Sequence, residues 1–161
     1  FMYIQQYWGN YIGDTDDSLT LLAYLSGKGR TELDAKEIFS DFGLDFRNDL
    51  RQTVPPLVYE DPEGWEMDIH FAADLVMDLA ALLLECRENG RVSLTELGEE
   101  TDLPNGSLRI TAGEKELEGI GAALADFAAS PAAWDLSEFM PEEELPELAG
   151  ILEDLRKDLC G

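Results

Sequence analysis

Asp68-Ile69-His70-Phe71-Ala72-Ala73-Asp74-Leu75-Val76-Met77-Asp78-Leu79-Ala80-Ala81-Leu82-Leu83-Leu84-Glu85-Cys86-Arg87-Glu88-Asn89 is the stretch on which the fold turns. Phe71, Leu75, Leu79, Leu82 and Leu83 recur at helical spacing, so a helix is predicted over 68–89. Asp68 suits its N-terminus, and Asn89-Gly90 suits its close. Its high apolar content marks it as the central core helix. The apolar run from Leu79 to Leu84 stops at Glu85, well short of the ~18 residues of a membrane helix.

Upstream, Tyr3 to Ile12 is rich in Tyr, Trp and Ile and ends at Gly13, which predicts a short strand and a turn. Asp16 or Asp17 can then cap a helix carrying Leu19, Leu21, Leu22 and Leu25, ending at Gly27. Glu32 to Phe42 predicts a second helix, with Leu33, Ile38, Phe39 and Phe42 as its stripe and Gly43 as its stop. Val54-Pro55-Pro56-Leu57 and Asp61-Pro62-Glu63-Gly64 read as an irregular stretch, because each proline removes a donor and disfavours a helical predecessor.

Downstream, Arg91–Leu97 and Ser107–Thr111 read as a hairpin around Pro104-Asn105-Gly106. Glu114 to Ala129 returns to helix, where Gly119, Gly121, Ala122 and Ala125 permit close helix packing. Pro141 to Cys160 is the last helix, with Leu148, Leu152, Leu155 and Leu159 on one face. The order predicts an α+β fold, helix-dominated, with a short N-terminal strand and a β-hairpin packed on about four to five helices. The 161 residues suit one globular domain over 1–161, with Phe1, which precedes Met2, set aside.

The chain carries 11 Lys and Arg against 35 Asp and Glu, a net charge of −24. Gln52 to Cys86 holds no Lys or Arg but eight acids: Glu60, Asp61, Glu63, Glu66, Asp68, Asp74, Asp78 and Glu85. Glu116 to Leu155 is likewise free of bases and holds eleven acids. Without local counterions, such acids are expected to give the surface a large negative potential. That field repels nucleic acid and anionic lipid and attracts cationic proteins. The start, Met2-Tyr3-Ile4-Gln5-Gln6, lacks a basic region and a signal-peptide core, so a cytoplasmic location is expected. Cys86 and Cys160 are far apart and read as reduced thiols.

Few motifs offer chemistry. His70, the single histidine, has Asp74 four residues on, a pairing that is the only plausible enzymatic centre and is more often structural. No metal site is expected: Asp74 and Asp78 lack the Glu-x-x-His partners of carboxylate metal bundles. Asp14-Thr15-Asp16-Asp17 fails as a calcium loop, since the sixth and twelfth positions are Leu19 and Leu25. Glu118-Gly119-Ile120-Gly121 lacks the third glycine of a nucleotide fingerprint and lies within a helical pattern. Glu32 to Leu50 has the outline of a helix-turn-helix without the basic face that phosphates require. No catalytic residue, cofactor or nucleic-acid partner is therefore expected.

Trp8-Gly9-Asn10-Tyr11-Ile12-Gly13 followed by Asp16-Asp17-Ser18-Leu19-Thr20-Leu21-Leu22 resembles the start of bacterial immunity proteins of polymorphic toxin systems. The resemblance covers about the first 25 residues. It implies a small cytoplasmic protein that binds and blocks a toxin domain, many of which are cationic nucleases. The alternative is an acidic adaptor or regulatory protein-binding domain. The expected protein-binding surface comprises Glu60, Asp61, Glu63, Trp65 and Glu66, in a loop-like segment with an aromatic anchor, together with Glu142, Glu143, Glu144 and Glu147. The second cluster also suits the positive end of a helix macrodipole.

Overall fold

The computed structural model describes residues 3–161; Phe1 and Met2 lie outside the described residues. Helix α1 spans Asp16–Gly27, α2 Ala35–Phe42, α3 Ala72–Asn89, α4 Glu114–Ala129 and α5 Leu145–Cys160. Strands β1 (Glu32–Asp34), β5 (Ser107–Thr111) and β4 (Val92–Ser93) form one sheet in that spatial order, and β2 (Leu57–Glu60) pairs with β3 (Glu66–Ile69) in a second. The fold is α+β and helix-dominated, as expected.

Helix α3 is the hub, packing against α1, α4, α5 and β5. Every residue from Ala72 to Cys86 is buried, including three acids. A helix apolar nearly all round belongs inside a protein. It begins later than the spacing predicted, because 66–69 is strand and His70 a bend. Phe71 provides no side-chain cap. Distant side chains satisfy the leading amides instead: Phe71 N–H donates to Asp17 Oδ2 at 3.0 Å and Ala72 N–H to Thr53 Oγ1 at 2.9 Å.

Two of the three buried acids, Glu85 and Asp78, fasten the N-terminal segment to α3. Ile4 N–H donates to Glu85 Oε1 at 2.6 Å, Gly13 N–H to Asp78 Oδ1 at 2.9 Å and Ser18 Oγ–H to Asp78 Oδ2 at 2.5 Å. Three of the eight acids in 52–86 are thus interior, not surface, groups. The predicted N-terminal strand is absent: Tyr3–Gln6 is a 3-10 turn, followed by a lone bridge between Trp8 and Ile12. Ile4 and Ile12 are fully buried, so the apolar pattern reports burial without sheet pairing. Gly13 has φ +80°, and a Cβ there would stand 2.1 Å from the Trp8 ring, so only glycine fits.

Thr15, one residue before the predicted caps, caps α1 through a reciprocal box with Ser18. The predicted helix over 32–42 is shortened from its front. Asp34 caps α2 by accepting from Lys36 N–H at 2.8 Å, and 32–34 becomes β1, paired parallel with Arg109–Thr111. Gly43, at φ +76°, stops α2 as expected. The predicted hairpin over 91–111 survives as β4 antiparallel to β5, joined by a long loop. Helices α4 and α5 pack together, and a Cβ at Gly119 would come 2.6 Å from Phe46. The last helix starts at Leu145, since Glu142–Glu144 form a separate 3-10 turn after Pro141.

Candidate partner-binding site

The segment from Leu57 to Ile69, which Pro62 marks as irregular, is a β-hairpin. Leu57 pairs with Ile69, Val58 with Asp68, Tyr59 with Met67 and Glu60 with Glu66. Alternation divides the side chains into two sets. Leu57, Tyr59, Met67 and Ile69 pack inward. The Tyr59 ring meets Tyr24 edge-on at 5.0 Å, and Lys28 Nζ lies 5.6 Å from its centroid. Val58, Glu60, Glu66 and Asp68 face solvent.

The turn is rigidly built. Asp61 N–H donates to Trp65 O at 2.8 Å, and Asp61 Oδ1 accepts from Glu63 N–H and Trp65 N–H, both at 2.9 Å. Asp61 thus holds the turn from within, while Glu60, Glu63 and Glu66 project outward. Trp65 is 68% exposed in their midst. Nearby in the chain, Val54 is 86% exposed, and Val58 also reaches water. Among the described residues, no Lys or Arg pairs with any acid from Glu60 to Asp68. The hairpin therefore presents an acid-only face with an apolar anchor.

The second acidic cluster is arranged differently. Glu142 and Glu143 are exposed, and Glu144 is half-buried. Glu147 Oε2 accepts from Tyr11 O–H at 2.8 Å, tethering α5 to the N-terminal segment. That hydrogen bond pushes the Tyr11 phenol up to about 12.

A cleft of about 580 Å³ lies between the base of the hairpin and the segment before α5. His70, Phe71, Met77, Phe139, Met140, Glu144 and Leu148 are among the residues that line it. Phe139 is 73% exposed although its ring packs 5.3 Å from that of Phe71. Within the lining, Asp17 Oδ1 accepts from His70 N–H at 2.9 Å and lies 3.2 Å from His70 Nδ1. Asp74 is hydrogen-bonded to Asp17, and burial followed by that bond pushes its carboxyl up to about 9. Burial likewise raises Asp78 to about 7, against the opposing hydrogen bonds from Ser18 and Gly13.

This geometry corrects the His70–Asp74 pairing. His70 lies ahead of α3, its imidazole largely exposed and directed at Asp17. Ser18 Oγ–H donates to Asp78 Oδ2 and not to His70. Among the described residues, no group of three or more His, Cys, Asp or Glu is placed to hold a metal ion. None of their helices is long and apolar enough to cross a membrane.

The hairpin unites Glu60, Asp61, Glu63, Trp65 and Glu66 on one projection, and Glu144 borders the cleft. Sequence reasoning missed Val54, Val58 and Phe139 as exposed apolar groups. The strict alternation over 57–60 and 66–69 was the signal that could have found Val58.

No curated protein and no solved structure matches the chain. The family model described as Immunity protein 68 matches residues 3–159, and the chain belongs to that family.

Proposed function

We propose that the chain neutralises a bacterial toxin domain by binding it with acidic surface, acting as a single unit in the cytoplasm and without catalytic chemistry or a cofactor of its own. Membership of an immunity-protein family supports a toxin as the partner. The observation that carries the mode of binding is the outer face of the β2–β3 hairpin. There Glu60, Glu63 and Glu66 surround an exposed Trp65 and have no cation among the described residues. A tryptophan ringed by charge suits an interface with an aromatic anchor and an electrostatically steered rim. The preferred partner is a basic domain, because a net charge of −24 gives it long-range attraction. Glu142, Glu143, Glu144 and Glu147 form a secondary acidic surface toward the same partner.

The test is protection of cells expressing a cognate toxin domain, with affinity measured on the purified pair. Trp65→Ala should weaken binding by about 30-fold, the scale of an interface hot spot. The triple reversal Glu60→Lys, Glu63→Lys, Glu66→Lys should abolish protection while leaving the fold intact. Full protection and unchanged affinity in both variants would remove the hairpin from the interface.

A further inference from the structure

We propose that the cleft between Phe71 and Phe139 receives a cationic side chain of the protein partner, arginine in preference to lysine. This rests on the reading of the chain as a binder of a basic protein, and it assigns a specific pocket within that encounter.

The cleft has the size of a ligand pocket, about 580 Å³, with room for a side chain and part of the loop presenting it. Its lining includes no Lys or Arg. Exposed Asp14 and Asp16 and half-buried Glu144 line it. Asp17 and Asp74 also line it, both buried, with Asp17 already accepting from the His70 and Phe71 amides. Asp78, further in, is occupied by Gly13 and Ser18, and His70 is the one lining group able to carry a positive charge. Apolar walls around carboxylates focus a negative potential into the cavity.

The second observation is aromatic. Phe139 stands largely in water yet keeps its ring against Phe71, and Tyr11, its hydroxyl bound to Glu147, also lines the cleft. An exposed aromatic wall facing acids matches a guanidinium, which stacks by its plane and donates by its edge. An ammonium uses the charge but not the plane, hence the order of preference. Burial and the Asp17 hydrogen bond raise the Asp74 carboxyl, and a cation in the cleft would lower it again.

The probes are N-acetyl-arginine methylamide, its lysine counterpart and the neutral isostere N-acetyl-citrulline methylamide, titrated into the full chain with methionine-methyl NMR. Met77 and Met140 line the cleft, and Met67 lies on the inner face of the hairpin. The arginine amide should shift Met77 and Met140 with a dissociation constant of about 1 to 10 mM, the lysine amide more weakly and citrulline not at all. The exposed substitution Phe139→Ala and the pair Asp14→Asn, Asp16→Asn should each weaken arginine binding by roughly 3- to 10-fold. Equal shifts from citrulline, shifts that never saturate, or no shift at Met77 and Met140 overturn the proposal. The hairpin triple reversal should leave this titration unchanged. A failed titration beside intact toxin protection removes the cleft alone, whereas lost toxin binding by the unaltered chain removes the underlying reading.

Discussion

Glu60 stands directly opposite Glu66 on the last rung of the hairpin, and neither has a cation beside it among the described residues. Like charges across a strand pair destabilise it. Glu60→Lys turns the rung into an attractive pair, so the isolated variant should gain about 0.3 to 1 kcal/mol in denaturant unfolding. The same substitution should weaken toxin binding. Stability and binding moving in opposite directions would show that the acids are kept for the partner; loss of both would show that they serve the fold.

Stability should rise as pH falls from about 9 to about 5. Asp74 and Asp78 are raised to about 9 and about 7 by burial, so above pH ~4 the folded chain holds protons that the unfolded chain has released. Their contribution is therefore fully present at the acid end and is lost as pH climbs through those values. Asp45, Glu37, Asp126 and Glu153 run the other way, lowered by Arg and Lys partners, and their exposed pairs fade only below about pH 4. Thermal melts should peak near pH 5, and Asp74→Asn should flatten the limb between about pH 7 and 9. An unchanged limb in that variant would place the pH dependence elsewhere.

Asp17→Ala should cost about 2 to 4 kcal/mol, because it orphans the His70 and Phe71 amides and leaves Asp74 without its partner. Hydrogen exchange should quicken first at His70 and Phe71, where β3 passes into α3. Uniform loss of protection throughout the chain would mean that Asp17 holds the whole core and not this junction.

Association with a cationic toxin domain should slow by about 10-fold or more between 0.01 M and 0.15 M salt, as the Debye length falls from ~30 Å to ~8 Å. Dissociation should change far less, since short-range contacts set it. Stopped-flow mixing across that salt range separates the two rates. A flat association rate would leave the acids with solubility as their role.

Elements with local signals were legible. Helices α4 and α5 carry their leucines at helical spacing, and α2 stops at Gly43 as a left-handed residue requires. Strand β1 was not legible: Leu33 fits the stripe of the following helix, and its pairing with Ile110 joins positions far apart in sequence. The start of α3 was misplaced for a similar reason. Phe71 and Leu75 share the helix period, whereas the groups that satisfy its first amides come from Asp17 and Thr53. The hairpin was hidden by Pro55, Pro56 and Pro62, which outweighed four residues of alternation on either side. For the site, composition revealed the acid excess and Trp65, but could not tell Asp74, Asp78 and Glu85, spent inside the protein, from Glu60 and Glu66, left in water.

The two-residue period of the hairpin carries an evolutionary consequence. Leu57, Tyr59, Met67 and Ile69 are answerable to the core beneath them, while Val58, Glu60, Glu66 and Asp68 face solvent and, on the proposed reading, answer to the partner. Selection can therefore rewrite the second set, tracking a toxin that changes, without renegotiating the first. Lineages facing different toxins should diverge at 58, 60, 66 and 68 and keep their apolar character at 57, 59, 67 and 69.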